Sequence, residues 1–289
     1  MDRSELLRKI RALEIQSKGL SKHLFSGEYH SAFKGRGMTF SEVREYQHGD
    51  DVRTIDWNVT ARTGNPHIKV FEEERELTVL LLIDLSQSMI FGSDGQTKRD
   101  LALELAATLA FSAMANNDKV GAVLFTENIE HYIPPDKGRK HILHILTAAL
   151  QCEPKGKSTS IAKALQFVER IQKKRSICFL ISDYTTDETY WDSLQRIGKK
   201  HDTVALKVNE ALEYKLPKRG LIQLYHAETN QSTWVNVSDA SIHQKLLEHA
   251  RNKEETLKQI MARTGVDLVS FQTNEKIYIP LMRLFKNRS

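Results

Sequence analysis

The pattern of apolar and polar positions along the chain predicts a domain in which strands and helices alternate. Its most apolar stretch, residues 77–83, holds six apolar residues and one Thr and ends at Asp84. A continuous apolar run of this length, flanked by charge, is typical of a strand buried on both faces, as in a parallel sheet. Residues 177–182 form a second run of this kind, which also ends at an aspartate, Asp183.

The same pattern predicts the other elements of this domain. Further strands are predicted over residues 120–125, 129–133, 203–208 and 266–271, and a hairpin over residues 221–225 and 233–237. Helices are predicted over residues 97–115, 141–150, 161–173, 187–197, 240–263 and 279–285. The strand at 129–133 is expected at an antiparallel edge, ended by Pro134 and Pro135. This order of elements favours an α/β fold, a mostly parallel sheet with helices on both faces.

The first 75 residues differ from the rest of the chain in their pattern of apolar, glycine and aromatic residues. Apolar positions at helical spacing predict a helix over residues 5–20 that ends near Gly19. Residues 21–75 are broken by glycines into short pieces, with a strand at 68–71 and with aromatic anchors at Phe33, Phe40, Tyr46, Trp57 and Phe71. Because this stretch is too small to form a large core alone, we expect residues 1–75 to pack on a main domain of residues 76–289, which carries a hairpin insertion near 221–237.

Residues 44–62 combine carboxylates, arginines and a tryptophan. The charged positions that matter are Asp50, Asp51, Arg53, Asp56 and Arg62. They could form an internal clamp of salt bridges or an exterior docking surface. We favour the internal clamp, because Trp57 is expected to be buried and the charges beside it then need partners.

The composition is that of a folded protein in a reducing compartment. The chain has 289 residues, of which 40% are hydrophobic and 27% charged, as in ordinary globular domains. Cys152 and Cys178 provide neither a disulfide framework nor a zinc spacing, which favours reduced thiols and a cytoplasmic location. The N-terminal residues lack the apolar segment of a signal peptide. The apolar run before Asp84 is far shorter than the roughly 20 residues that span a bilayer, so no membrane segment is expected.

The net charge of +5 and the basic clusters raise the question of nucleic-acid binding. The clusters at residues 173–175 and 199–201 close predicted helices, where cations complement the helix dipole. No aromatic platform for stacking bases accompanies them. We therefore expect solvated helix ends and no specific nucleic-acid partner.

Three predicted loops carry oxygen-bearing side chains. Asp84, Ser86 and Ser88 follow the first buried strand at alternate positions, Thr159 precedes the helix at 161–173, and Asp183 follows the strand at 177–182. Ligands of open parallel sheets bind just beyond the carboxyl ends of the strands. We therefore expect these five side chains to meet around one cation.

The chemistry of this set favours binding over catalysis. Two carboxylates and three hydroxyls, with no His or Cys, suit a hard cation such as Mg²⁺, Mn²⁺ or Ca²⁺. Hydroxyls are neutral ligands and leave the ion with strong positive charge, so it accepts a carboxylate from outside. No residue is placed as a general base, which predicts a non-enzymatic protein.

Two alternatives stay open at this point. Ser86 and Ser88 could instead cap a turn or a helix, as serines commonly do. A Mg²⁺-dependent hydrolase or phosphotransfer enzyme could use Asp84 as its nucleophile. Phosphatases of that type carry a second Asp two residues on, where this chain has Ser86, and no helper base is evident.

The five residues resemble a known binding site. Asp84-x-Ser86-x-Ser88, Thr159 before an I-x-x-A-L helix, and Asp183 are similar to the metal-ion-dependent adhesion site of von Willebrand factor A domains. In that family the third loop usually continues with Gly, where this chain has Tyr184. The resemblance implies a von Willebrand A-like fold over about residues 76–289.

Further motifs make nearly the whole chain similar to the domain-of-unknown-function-58 family. They are Gly35-Arg36-Gly37-Met38, Arg44-Glu45-Tyr46, Gly49-Asp50-Asp51, Arg53-Thr54-Ile55-Asp56-Trp57, Ala61-Arg62, Leu216-Pro217, Gly220-Leu221-Ile222 and Glu228-Thr229. This resemblance implies partnership with a MoxR-type AAA+ ATPase in chaperone-like or regulatory assembly. We expect the bound metal to capture an acidic side chain of that ATPase or of a client protein.

Overall fold

The computed structural model describes residues 8–16, 38–73, 76–93, 95–186, 189–210, 220–226 and 231–288. The chain divides into two compact units, Lys34–Leu77 and the combination of Met1–Phe33 with Thr78–Ser289. The N-terminal helix therefore groups with the α/β unit, whereas the sequence grouped it with residues 20–75. Several predicted features lie outside the described residues, namely Gly19, Phe33, residues 35–37, Asp187, Leu216-Pro217 and residues 228–230.

The strands are β1 Met38–Glu45, β2 His67–Glu73, β3 Thr78–Asp84, β4 Gly92–Ser93, β5 Gln96–Thr97, β6 Lys119–Phe125, β7 Ile129–Asp136, β8 Ile177–Ser182, β9 Asp202–Asn209, β10 Leu221–His226, β11 Gln231–Asn236 and β12 Asp267–Gln272. The helices are α1 (residues 8–16), α2 Trp57–Thr63, α3 Lys98–Ala115, α4 Arg139–Gln151, α5 Ile161–Ile171, α6 Trp191–Lys200, α7 Ala240–Thr264 and α8 Tyr278–Arg288.

The smaller unit is a two-stranded ribbon with a short helix. Strands β1 and β2 pair antiparallel, and α2 begins where Asp56 accepts hydrogen bonds from two backbone amides. The prediction that Trp57 is buried is wrong, since 70% of its surface is exposed. Its helix has no buried residue, so Trp57 stands on a face that the described residues leave open.

The charges of this unit pair locally. Arg44 makes two hydrogen bonds to Asp50, at 2.8 and 2.7 Å, and Lys69 lies 3.5 Å from Asp56. The Arg44 guanidinium also holds the pKa of Asp50 below its usual value. These pairs join residues within the small unit, and the Asp50 and Asp56 side chains keep 19% and 13% of their surface exposed.

The main sheet has six strands in the order β12-β9-β8-β3-β6-β7. All neighbours are parallel except the edge strand β7, which is antiparallel to β6. The prediction of a mostly parallel α/β sheet is confirmed. From β3 the chain first adds β6 and β7 toward one edge of the sheet. It then returns to add β8, β9 and β12 toward the other edge. In doubly wound sheets, ligands bind where the strand order reverses. Here that point lies between β3, which ends at Asp84, and β8, which ends one residue before Asp183.

Helices cover the sheet on both faces. Leu80 and Leu82 of β3 pack in one buried cluster with Leu165 of α5, Leu194 of α6 and Met261 of α7. Side chains alternate along a strand, so the residues of β3 between these two point to the opposite face. There α3 packs against β3 and β6. Both faces of the central strand are buried, which explains its uninterrupted apolar sequence.

Strand β7 does not stop at Ile133 as predicted but continues through Pro134 and Pro135 to Asp136. Proline is tolerated there because an edge strand has a side on which no ladder donor is required. The hairpin of β10 and β11 and the stop of α7 at Gly265, whose φ is 70°, are confirmed. Among the described residues, no helix is long and apolar enough to cross a membrane.

Candidate metal centre

Asp84 is the last residue of β3 and is completely buried. Its Oδ1 accepts a hydrogen bond from the Ser86 amide at 2.8 Å. Its Oδ2 accepts from Ser182 Oγ at 2.6 Å and from Thr159 Oγ1 at 3.4 Å. The carboxylate is therefore fixed by donors from two loops and from the end of strand β8.

The hydroxyls of the first loop turn toward each other and toward the carboxylates. Ser86 Oγ and Ser88 Oγ lie 3.2 Å apart, and both side chains are buried. Ser86 stands at the N-cap of the short helical turn Gln87–Ile90, but its side chain makes no capping hydrogen bond. The capping alternative thus fails for Ser86, and its hydroxyl stays directed into the site.

The second loop is tied to the other two. The backbone amide of Gln87 donates to the carbonyl of Lys157 at 3.0 Å, which joins it to the first loop. Thr186 Oγ1 donates to the carbonyl of Thr159 at 3.1 Å, which joins it to the third. Ser160 then caps α5 by accepting from the Lys163 amide at 3.3 Å. Thr159 is held by backbone contacts on both sides.

Two glutamates after β6 support this second loop from outside the site. Glu130 accepts hydrogen bonds from the amides of Lys155 and Gly156 at 3.1 and 3.0 Å and from Thr126 Oγ1 at 2.6 Å. Glu127 accepts from both the amide and the hydroxyl of Ser158. A Cβ at Gly156 would lie 2.2 Å from Thr126 Oγ1, so only glycine lets the loop approach this closely.

Asp183 begins the third loop and is almost fully buried. Its Oδ1 accepts from the Thr185 amide at 3.0 Å, and the side chain of Ser88 donates to it as well. Asp183 Oδ2 lies 2.6 Å from Lys98 Nζ. All five predicted side chains are therefore joined in one chain of contacts, through Thr159–Asp84, Asp84–Ser86, Ser86–Ser88 and Ser88–Asp183.

Sequence reasoning missed two residues of this cluster, Lys98 and Ser182. Lys98 is the first residue of α3, and a cation at a helix N-terminus opposes the helix dipole. This unfavourable placement of a lysine was the signal in the sequence from which Lys98 could have been found. Ser182 is the only hydroxyl residue of the buried strand β8, and β8 pairs with β3 one residue before both strands end. A polar residue at that position faces the neighbouring aspartate.

The electrostatics of the two aspartates differ. Burial, together with the negative charge of Asp183, raises the pKa of Asp84 to about 6. Burial alone would also raise the pKa of Asp183, but the Lys98 ammonium lowers it below its usual value. Two acidic groups are thus buried close to each other, which favours a cation beside them.

Tyr184 stands where the adhesion sites that the sequence resembles usually carry glycine. Its φ is 57°, in the left-handed region that favours glycine. Its hydroxyl donates to the Leu180 carbonyl at 3.0 Å, and its ring packs against the buried cluster of the sheet. Burial raises the pKa of the Tyr184 phenol well above its usual value. Tyr184 therefore fills space beneath the loop.

The donor set fits a hard divalent cation. Asp84, Ser86, Ser88, Thr159 and Asp183 offer oxygen atoms only, as Mg²⁺, Mn²⁺ and Ca²⁺ prefer. Among the residues that the structure describes, no group of three or more His, Cys, Asp or Glu side chains forms a metal cluster. A cation here would rely on the hydroxyls beside the two carboxylates, and these residues could hold it.

The chain matches the model of a known protein family. Residues 42–256 match the family described as "Protein of unknown function DUF58". The chain belongs to the DUF58 family. The resemblance seen in the sequence is thereby confirmed. This DUF58 protein is 29% identical over 294 residues to uncharacterized proteins of Mycobacterium bovis and Mycobacterium tuberculosis, covering 100% of this chain and 91% of each of theirs.

Three solved structures are similar in part to this DUF58 protein. BatB of Bacteroides thetaiotaomicron is 14% identical with a TM-score of 0.47, over 73% of this chain and 98% of BatB. The SpRpn10 VWA domain is 16% identical with a TM-score of 0.39, over 74% of this chain and 95% of that domain. A mussel byssus matrix protein, PTMP1 with a zinc-occupied MIDAS motif, is 17% identical with a TM-score of 0.34, over 46% of this chain and 38% of PTMP1.

Proposed function

We propose that this DUF58 protein is a non-enzymatic interaction module that holds a divalent cation and uses it to bind a carboxylate of a partner. One observation carries this proposal. Two buried carboxylates and three hydroxyls from three loops meet at the reversal point of the sheet. Asp84, Ser86, Ser88, Thr159 and Asp183 would hold the ion, which is Mg²⁺, Mn²⁺ or Ca²⁺.

The chemistry of the ligands supports binding of an acidic group. A hard cation held by two carboxylates and neutral hydroxyls keeps an affinity for further oxygen ligands. Glu and Asp side chains of a partner supply such an oxygen together with a negative charge. The five residues therefore favour capture of a carboxylate from outside the chain.

The surface beside the site supports a protein as the partner. Ile90 and Phe91 follow Ser88 almost directly, and about half of each side chain is exposed, 54% and 48%. Adjacent exposed apolar residues next to a polar centre are typical of protein-binding surfaces. The carboxylate would dock at the ion while neighbouring apolar groups of the partner cover these two residues.

The proposed partner is a MoxR-type AAA+ ATPase, or a client protein on which the two act in chaperone-like or regulatory assembly in the cytoplasm. This part of the proposal comes from the family resemblance of the motifs. An acidic side chain on the ATPase or the client would complete the coordination of the ion.

The experiment is a pull-down of the MoxR-type ATPase from the same organism on the immobilised full chain. We expect retention in Mg²⁺ and loss of retention in EDTA or with Asp84→Ala. Asp136→Ala is the matched control, because Asp136 pairs with Val120 at the opposite end of β6 from Asp84. Equal retention with and without EDTA, and with Asp84→Ala, would refute the metal-bridged interaction.

The alternative function, a Mg²⁺-dependent hydrolase or phosphotransfer enzyme, needs Asp84 as a free nucleophile. Both oxygens of Asp84 accept hydrogen bonds and the side chain is fully buried, which disfavours attack on a substrate. Phosphoester turnover in Mg²⁺ that disappears with Asp84→Asn would establish the enzyme instead.

A further inference from the structure

Lys98 and Asp183 form a buried ion pair inside the candidate metal centre. Lys98 Nζ lies 2.6 Å from Asp183 Oδ2, and the two side chains are only 3% and 1% exposed. Asp183 also receives a hydrogen bond from Ser88. The ammonium thus already satisfies one of the two carboxylates that a divalent cation would use.

The chain holds Lys98 firmly in this position. Thr97 caps α3 through a reciprocal capping box with Asp100. The Lys98 amide donates to the Phe91 carbonyl at 3.0 Å, and Thr97 pairs with Gly92 in the short ribbon β4–β5. The ribbon fixes the first turn of α3 directly beside the loop of Ser86 and Ser88.

Helix stability does not account for this lysine. A cation in the first turn of a helix is disfavoured by the dipole, and burying an ammonium is costly unless it is paired. Its pairing partner, Asp183, lies 85 residues away in sequence. The position of Lys98 therefore follows from the charge of the site.

We propose that Lys98 is an internal counter-ion that competes with the divalent cation for Asp183 and so weakens cation binding. This inference rests on the proposed function and adds to it a means of regulation. The metal-free site is held together by Lys98, and the divalent ion binds against the positive charge of that lysine.

The charges of the site show what this competition does. Two carboxylates and the Lys98 ammonium carry a net charge of minus one, to which a divalent cation adds two positive charges. One positive charge then remains, and an incoming carboxylate neutralises it. Without Lys98 the ion-bound site is neutral. Lys98 therefore weakens binding of the ion and strengthens the attraction of a partner carboxylate to the site once the ion is bound.

The test is calorimetric titration of Mn²⁺ into the full chain and into Lys98→Met. A unit charge at such short range shifts proton affinity by about one to three pKa units, so removing Lys98 should tighten Mn²⁺ binding at least about tenfold. Lys258→Met is the matched control, since Lys258 pairs with Glu254 on the surface of α7. Lys98→Gln, which still donates a hydrogen bond to Asp183, serves if Lys98→Met does not fold.

The outcomes separate this inference from the proposed function. Tighter Mn²⁺ binding by Lys98→Met than by the wild type and the control supports the inference, and so does binding by Lys98→Met alone. Equal affinity in wild type and Lys98→Met overturns the inference and leaves the proposed metal site intact. No binding by either chain overturns both.

Discussion

Ser182 donates a hydrogen bond to Asp84 across two neighbouring strands, with 2.6 Å between Oγ and Oδ2. Both side chains are completely buried. The Ser182 hydroxyl also accepts from the Tyr184 amide at 3.0 Å. One serine thus connects the first aspartate of the site to the backbone of the loop that carries the second.

Ser182→Ala should destabilise the fold by about 1–3 kcal/mol, because a buried carboxylate loses a hydrogen-bond donor. Urea denaturation in EDTA measures the loss. Ser193→Ala is a matched control, since Ser193 is a buried serine whose hydroxyl accepts a hydrogen bond from Arg196 instead of donating one to Asp84. An effect of Ser182→Ala no larger than that of Ser193→Ala would contradict the role given to this hydroxyl.

Asp84→Asn should stabilise the metal-free protein at pH 7. The substitution removes a buried negative charge beside Asp183, and the raised pKa of Asp84, about 6, reflects the cost of that charge. We expect a gain of about 1–3 kcal/mol, seen as a higher Tm in EDTA. The gain should disappear when Mg²⁺ is added, because the ion compensates the charge in the wild type only. A Tm for Asp84→Asn in EDTA below that of the wild type would contradict this prediction.

Gly156→Ala should disrupt the second loop. Its Cβ would overlap Thr126 Oγ1 at 2.2 Å, and overpacking of this kind typically costs about 1–3 kcal/mol. Because Thr159 follows in the same loop, Mn²⁺ binding should weaken along with stability. Lys155→Ala, an exposed neighbour, is expected to change neither property. Thermal denaturation and Mn²⁺ titration of both variants test this.

His201 should make the protein less stable in mild acid. Burial, followed by the charges of Lys200 and Arg175, lowers its pKa to about 4, whereas the unfolded chain titrates near 6.5. The unfolded state therefore binds a proton first as the pH falls. The stability contribution is complete above about pH 6.5 and is lost between there and about pH 4, by up to roughly 3 kcal/mol.

The comparison of wild type with His201→Gln isolates this effect. Asp84 acts in the opposite direction, because its pKa is raised and the folded state takes up its proton first. Asp84 is present in both proteins, so the difference between them reports His201 alone. Urea denaturation between pH 4 and 7.5 should show the difference shrinking as the pH falls, and a constant difference would contradict the assignment.

Much of the fold followed from the sequence because buried strands and capped helices leave local signals. The strand at residues 177–182 has the predicted bounds. An uninterrupted apolar run is stable only where both of its faces are buried, as in the middle of a parallel sheet. The capping box of Thr97 and Asp100 and the glycine stop at Gly265 are likewise local patterns with a local physical cause.

Other features depend on contacts between distant residues. The first 75 residues carry little periodicity, and the expectation that Trp57 is buried relied on its size alone. Lys98 and Asp183 are 85 positions apart, so their pairing appears only when β8 is placed beside β3. Local propensity contains no information of this kind. The five oxygen-bearing side chains were expected to meet only because strand ends converge in a parallel sheet.

The most direct test of the central claim is a crystal of the full chain soaked in Mn²⁺ and measured at the manganese absorption edge. We expect one anomalous peak within about 2.5 Å of oxygen atoms of Asp84, Ser86 and Ser88, with the Lys98 ammonium moved away from Asp183. The same soak of Asp84→Ala should show no peak at this position. A wild-type crystal with no anomalous peak beside Asp84, and with Lys98 still paired to Asp183, would contradict the account.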